Sequence, residues 1–452
     1  MAARSSDRRN ATHARLAALA GALIAGSACG AAPPALQGLE AIYPSIEALY
    51  IDLHRTPEIS LQEEKTAAKL AARLRELGYE VTERIGGHGV VGVLRNGEGP
   101  TVMLRTDTDA LPVREQTGLP FASTATAINP SGETVPAMHA CGHDAHMASW
   151  IGAAALLASS KDQWRGTVVF VGQPAEEIVQ GARAMVNDGL FERAARPDYV
   201  VGIHVTNLLP AGQIGVISGP ASAASNSVDI TFFGKGGHGA APHRAIDPIL
   251  IASRAVSTLQ SIVSREVNPL DPAVVTVGTF HAGTKRNIIP DQAKLELTVR
   301  SYKPEVQRHL LEAIERIARA EAAAAGAPRE PLVHVHEHEA SEVVVNDPAL
   351  AARLMSSLRA SLGEGAVVTM DPATTSEDFG VFGAAAGAPG VQLRVGAVNP
   401  EVFARAEAAD EIESIPGPHN PAFAPDPGPT LRTGVAAFTL SALELLGKPG
   451  GR

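Results

Sequence analysis

Four short runs at residues 101–104, 167–171, 199–203 and 391–395 are dominated by aliphatic and β-branched side chains, without the polar alternation of a strand wetted on one face. A strand of that kind must be covered on both faces. Sheets covered on both faces are typically built from parallel strands joined by helices. Helical patterns at residues 63–77 and 146–159 supply such connections, so the chain is expected to form an α/β fold with a mostly parallel sheet and flanking helices. Residues able to do chemistry follow the runs directly: Asp107 and Asp109 after the first, Glu176 and Glu177 after the second, His204 after the third. In open α/β sheets these carboxyl ends are where ligands bind.

Between residues 223 and 337 the pattern changes. A strand (228–233), a helix (247–264), two strands (274–281 and 294–300), a helix (304–325) and a strand (332–338) follow one another, which is the order of the split βαβ or ferredoxin-like sandwich. Residues 293–300 alternate apolar and polar strictly, as expected where one face is solvated and the other packs on helices. A chain of 452 residues is also long for one core. The expected layout is a leader at 1–30, a catalytic domain in two parts (40–222 and 338–447) and an inserted α+β lid at 223–337. The second part is completed by a helix at 348–362, the strand near Val391 and a last helix at 430–446.

Arg4, Arg8, Arg9 and Arg15 precede an apolar stretch at 16–26 and then small residues, the layout of a secretory signal peptide. The stretch is shorter than the ~20 residues a membrane helix needs. Export to the periplasm or beyond is the expectation. Gly26-Ser27-Ala28-Cys29 resembles a lipoprotein cleavage box, though Gly26 stands where a large aliphatic is preferred, so lipidation at Cys29 is an alternative ending. Net charge is −10, from 38 basic and 48 acidic residues, and no long basic run follows the leader, which argues against a nucleic-acid partner. Cys29 and Cys141 are the two cysteines, so the exported chain has no disulfide framework. A lone thiol kept in a histidine-rich stretch of an exported protein either has a use or is buried and inert.

That stretch, His139-Ala140-Cys141-Gly142-His143-Asp144-Ala145-His146, concentrates a thiol, three imidazoles and a carboxylate. Cysteine and histidine suit zinc and other borderline divalent ions if further ligands arrive from elsewhere; the same histidines could instead cap a helix start. Gln173-Pro174-Ala175-Glu176-Glu177 places adjacent carboxylates at a strand end. Alone these read as solvated charges. Beside a metal, one can ligate while the other takes a proton from water. His204, taken singly, reads as a structural histidine.

The motifs together carry a resemblance. Arg105-Thr106-Asp107-Thr108-Asp109-Ala110-Leu111-Pro112, the cysteine–histidine stretch, Gln173 to Glu177, Gly202-Ile203-His204 and Gly237-His238-Gly239-Ala240-Ala241-Pro242-His243 resemble, in order, those of the hippurate hydrolase and indoleacetyl-amino-acid hydrolase branch of the aminoacylase and carboxypeptidase G superfamily. Asn287-Ile288-Ile289-Pro290, Ser376-Glu377-Asp378-Phe379 and His419-Asn420-Pro421 continue it, so it spans residues 43–446. The resemblance implies a di-metal exopeptidase-like catalytic domain holding two divalent ions, such as zinc, manganese, nickel or cobalt. Cys141 would bridge the ions, with His143, Glu177, His204 and His419 as further ligands. Glu176 would be the general base, and Asp109 would orient a ligand imidazole. The inserted domain would form a homodimer, through which His238 reaches the partner's site to polarise the scissile carbonyl, while Asn287 contacts substrate. The implied substrate is an N-acyl amino acid or a small peptide with a free carboxylate. The alternatives are a deacetylase of N-acetyl amino acids and an inactive metal-bound binding protein, against which Glu176 argues.

Two features stand apart. Gly390-Val391-Gln392-Leu393-Arg394-Val395-Gly396 departs from the aromatics the family more often has there. The rarity of buried arginine favours surface pairing for Arg394 over a charge near the substrate. His334, His336 and His338 would share one strand face by period two; they are expected to be a solvated face and not a metal site.

Overall fold

The apolar runs become the middle of a long sheet. The computed structural model describes residues 33–448; the leader reading, Cys29 included, lies outside the described residues. The strands in chain order are β1 (Glu80–Ile85), β2 (Gly89–Asn96), β3 (Thr101–Asp107), β4 (Gly166–Gln173), β5 (Tyr199–Pro210) and β6 (Ile214–Val216). Next come β7 (Ala224–Phe233), β8 (Ala273–Ala282), β9 (Gln292–Ser301) and β10 (Leu332–Val335), then β11 (Val367–Thr369) and β12 (Gly390–Val398). The larger sheet has eight strands in the order β1-β2-β4-β3-β5-β12-β6-β11. Its centre, β4-β3-β5-β12, is parallel throughout. Antiparallel pairings attach the β1–β2 hairpin to β4 and the β6–β11 pair to β12.

The period of two explains why the central runs contain so little polar alternation. Val102 and Leu104 of β3 and Val168 and Phe170 of β4 enter one apolar cluster, while Met103, Val169 and Val171 enter another on the opposite face. The first cluster also takes in helices α1 (Leu39–Arg55), α2 (Glu64–Glu76) and α3 (His143–Ser159). It is completed by helices that come later in the chain, at Pro348–Leu362 and Pro427–Leu445. α3 begins three residues before the apolar pattern does, because its first turn is polar: His143, Asp144 and His146 are buried there. Gly142 precedes it at φ 79°, where a Cβ would stand 2.6 Å from a methyl of Val205. Glycine is the residue that fits both constraints.

The second sheet runs β8-β9-β7-β10, antiparallel throughout. Ala293, Leu295, Leu297 and Val299 of β9 point to a separate apolar cluster shared with the helices Pro248–Ser261 and Pro304–Ala324. One expectation is corrected here. The last strand ends at Val335, and residues Glu337–Glu339 form a 3₁₀ turn, so the three histidines of 334–338 do not line one strand. His336 instead pairs with Asp229, Nε2 to Oδ2 3.2 Å, a carboxylate that Lys294 also holds at 2.8 Å.

Candidate metal centre

The carboxyl ends of three central strands and the start of α3 converge. β3 delivers Arg105 and Asp107 and leads into Asp109; β4 leads into Pro174, Glu176 and Glu177; β5 carries His204. Cys141 and His143 come from the turn into α3, and His419 from a loop anchored by its own N–H donating to the Ala140 carbonyl at 2.8 Å. Ala175 and His419 both adopt left-handed backbone, φ 52° and 71°, a conformation that surrounding structure must impose on non-glycine residues and that recurs at functional sites.

Two of the trios of donor atoms in this region contain Cys141. Cys141, His143 and His204 lie mutually within 4.8 Å, and so do Cys141, Glu177 and His419. Cys141 belongs to both. Its Sγ is 3.5 Å from His204 Nε2, and Glu177 Oε2 is 3.2 Å from His419 Nε2. Backbone carbonyls set the imidazole tautomers: His143 Nδ1 donates to Asp109 O at 2.8 Å and His204 Nδ1 to Val205 O at 2.7 Å. That directs each Nε2 inward, where His143 can offer a lone pair to an ion once it gives up its second proton, and His204 once the Cys141 thiol contact is released. Asp109 thus orients His143 chiefly through its backbone; its Oδ1 stands at 3.5 Å from Nδ1, while Oδ2 accepts from Ser60 Oγ at 2.6 Å and from the Glu177 N–H at 3.0 Å.

His143 Nε2, Glu177 Oε1 and Asp109 Oδ1 are buried without a hydrogen-bond partner, a costly state for polar atoms. Around His143 Nε2 stand Glu177 Oε1 at 3.7 Å and Glu176 Oε2 and Asp107 Oδ2 at 3.8 Å. These gaps are too long for hydrogen bonds. They approach the separation of two ligands on one ion, roughly 3.3–3.7 Å for bonds of about 2.0–2.3 Å. The electrostatics agree. Burial pushes the Cys141 thiol well up, and Glu177 and Glu176 push it further. Burial opposes charge on His143, but Asp107, Asp109 and Glu177 outweigh it and raise the imidazole to about 10. Burial, with His146 and Arg394, keeps His204 neutral. The anionic groups are stabilised by positive charge among them, and thiolate, imidazole and carboxylate are the donor set of zinc and its neighbours. The residues fit two divalent ions sharing Cys141.

A charged network lies beneath this centre, and sequence reasoning assigned it no role. Arg105, with no exposure, donates Nη1 to Asp107 Oδ2 at 2.7 Å, Nη2 to Glu377 Oε1 at 2.9 Å and Nε to Gln173 Oε1 at 2.8 Å. Asp378 approaches the same guanidinium at 3.4 Å and accepts from Gln173 Nε2 at 2.6 Å; Gln392 Nε2 donates to Glu377 Oε2 at 2.6 Å. His146 is engaged at both nitrogens: it accepts from the Val205 N–H at 2.8 Å and donates to Asp107 Oδ1 at 2.6 Å, so it positions Asp107. His54 bridges Asp144 at 2.6 Å and Glu115 at 3.0 Å. Glu176 is 6% exposed; burial, then Glu377 and Glu177, drive its carboxyl well upward.

The centre opens into a cavity of about 690 Å³ lined by Cys141, Glu176, Glu177, His204 and His419, and also by Arg300 and Arg394. The surface-pairing expectation for Arg394 is overturned: it is 7% exposed, because β12 is an interior strand whose carboxyl half faces the cavity. His238 and Asn287 lie elsewhere. They meet on a two-stranded ribbon, Gly237–His238 with Ile288–Ile289, where the Gly239 N–H donates to the Asn287 carbonyl at 2.9 Å. Both are exposed, and neither lines this cavity.

Residues 103–416, which contain the strands and loops just described, match the sequence model of peptidase family M20/M25/M40. The chain belongs to this family. Among M20 relatives, the hippurate hydrolase of Campylobacter jejuni is 39% identical over 332 residues, 73% of this chain and 82% of that one. The N-acetylcysteine deacetylase of Bacillus subtilis is 42% identical over 281 residues, 62% of this chain and 71% of that one. The crystal structure of Bacillus subtilis YXEP, a dinuclear metal-binding peptidase of the M20 family, superposes with a TM-score of 0.73 at 32% identity, covering 90% of this chain and 99% of that one.

Proposed function

We propose that this M20 protein is a metal-dependent amidohydrolase that cleaves the amide bond of N-acyl amino acids or small peptides with a free carboxylate. The observation that carries the reading is the pair of donor trios sharing Cys141 at the mouth of a cavity, with Glu176 beside them. Cys141, His143, His204, Glu177 and His419 would hold two divalent ions, which supply Lewis acidity for the scissile carbonyl and acidify the attacking water. Glu176, a buried carboxyl whose proton affinity is raised by burial, Glu377 and Glu177, takes the proton from water and passes it to the departing amine. Asp109 holds the His143 tautomer and braces the Glu177 backbone.

Arg300, at the end of β9, reaches the cavity from the second sheet; its guanidinium donates to Ser376 Oγ at 2.5 Å. It receives the substrate carboxylate, so the substrate lies between the larger sheet and a lid formed by residues 223–337. His238 and Asn287, exposed and away from the cavity of their own chain, serve the site of a second copy in a homodimer joined through the lid. There His238 stabilises the charge that develops on the carbonyl oxygen. Export by the arginine-flanked leader places the enzyme in the periplasm or outside the cell, and N-terminal sequencing of the mature protein tests that part.

The decisive experiment is hydrolysis of a panel of N-acetyl, N-benzoyl and peptidyl amino acids by the metal-loaded protein. Glu176→Gln should lower kcat about 10²–10⁴-fold with two ions still bound. Turnover unchanged in that variant would refute the assignment of the base.

A further inference from the structure

Arg394 stands on β12 in register with His204 of β5 and lines the cavity beside the metal centre. Its pairing is incomplete. Nη2 donates to Ser222 Oγ at 3.1 Å, and among the described residues no carboxylate oxygen comes within the 4.0 Å of an ion pair. Arg105 shows what this interior does with a guanidinium it has to neutralise: three carboxylates surround it. Buried arginine is rare unless paired, because stripping its water costs more than a single hydroxyl returns. The nearby acids do not make up the difference. Burial lowers the proton affinity of Arg394 despite Glu377, Cys141, Glu176 and Asp107. Each of those groups already has a partner or a place in the metal centre.

Arg300 lines the same cavity and also lacks a carboxylate partner within 4.0 Å among the described residues. Two guanidiniums with free donors therefore face one substrate space. A planar guanidinium matches a carboxylate through parallel hydrogen bonds, and Arg300 and Arg394 enter the cavity from strands of different sheets, so each can take a carboxylate of its own.

We propose that Arg394 reads a second carboxylate, so that the preferred substrate is a doubly anionic N-acyl amino acid. This rests on the amidohydrolase reading above. The second carboxylate comes either from the acyl part, as in a dicarboxylic acid monoamide, or from an acidic amino-acid side chain. Sites that hydrogen-bond a polar substrate group discriminate strongly against analogues lacking it, since their own buried groups are then left unpaired.

The test compares kcat/KM of the metal-loaded full chain on N-benzoylglycine, N-benzoylglutamate, N-acetylglycine and N-succinylglycine. One of the two diacids should exceed its monoacid counterpart by about 30-fold or more, and which one does so locates the second carboxylate. Arg394→Met should collapse that ratio to within about threefold, and Arg394→Lys should keep an intermediate value. Calorimetric binding of glutamate and succinate gives a readout independent of turnover: one of them should bind the wild type at least tenfold more tightly than it binds Arg394→Met. Equal handling of diacid and monoacid by the wild type, or a preference that survives in Arg394→Met, overturns the proposal while leaving the amidohydrolase intact. Absence of hydrolysis across all four substrates refutes the amidohydrolase reading instead, and the binding data still decide whether Arg394 holds a carboxylate. If Arg394→Met does not fold, the wild-type ratio and the lysine variant carry the same decision.

Discussion

Arg105→Met keeps most of the side-chain length at Arg105 and removes its charge. Three carboxylates, Asp107, Glu377 and Asp378, then remain in a dry interior without their shared cation. Removing one partner of a buried ion pair costs about 3–5 kcal/mol. Unfolding entropy near 60 °C is about 2.1 cal/mol/K per residue, roughly 0.9 kcal/mol/K for a chain of this length, so the melting temperature should fall by about 3–6 °C. Part of the loss can be avoided by proton uptake. Burial already raises Asp378 to about 7 despite Arg105, and losing the guanidinium raises it further, so the deficit should shrink as pH falls from 8 to 6. Differential scanning calorimetry of the metal-loaded protein reads all of this. A second substitution, Glu377→Gln, removes one stranded charge and should restore part of the loss. A shift below about 1 °C, or a double variant no more stable than Arg105→Met, would show that the network is not an ionised cluster held by Arg105.

Two further outcomes follow from the protonation pattern. His54 is raised from 6.5 to about 9: burial opposes the charge, but Asp144 and Glu115 outweigh it. Its stabilisation is therefore full below pH 6.5 and lost as pH rises through about 9, amounting to about 3 kcal/mol in order of magnitude. The melting temperature should fall over that range and flatten in His54→Gln; an equal slope in the variant contradicts the assignment. The Cys141 thiol and the His143 imidazole both hold protons at neutral pH when no ion is present. Metal binding should then release about two protons per chain, with affinity rising from pH 6 to 9. Calorimetry in buffers of different ionisation enthalpy measures the number, and a value near zero rules the mechanism out.

The parts of the fold legible in sequence are those where burial constrains composition most. β3, β4, β5 and β12 are covered on both faces, so little beyond aliphatic and β-branched residues fits most of their length, and the runs stand out. The edge strands β1 and β11 are short or half exposed, and β6 beside β11 has only three residues, so they leave no comparable signature. Part of the site was legible because Glu176, Glu177 and His204 come soon after those runs, and Cys141 and His143 because they stand in one histidine-rich stretch; His419, in a loop far along the chain, was reached through the resemblance alone. The network under it was not: Arg105 and Glu377 are separated by 272 positions, and neither periodicity nor spacing connects them. Arg394 was assigned to the surface on the rarity of buried arginine, a rule that fails where a cavity supplies the missing partner. The histidines at 334–338 looked coplanar only under the assumption that β10 continues past Val335; the chain turns there.

In the proposed site Cys141 is common to two metal positions, one shared with His143 and His204 and the other with Glu177 and His419. Anomalous diffraction from crystals of the zinc-loaded protein measures this directly. Two peaks per chain are expected, both about 2.3 Å from Cys141 Sγ, one adjoining the His143–His204 pair and the other the Glu177–His419 pair. A single peak, or two peaks of which one is not bonded to Cys141, would rule out a bridging Cys141.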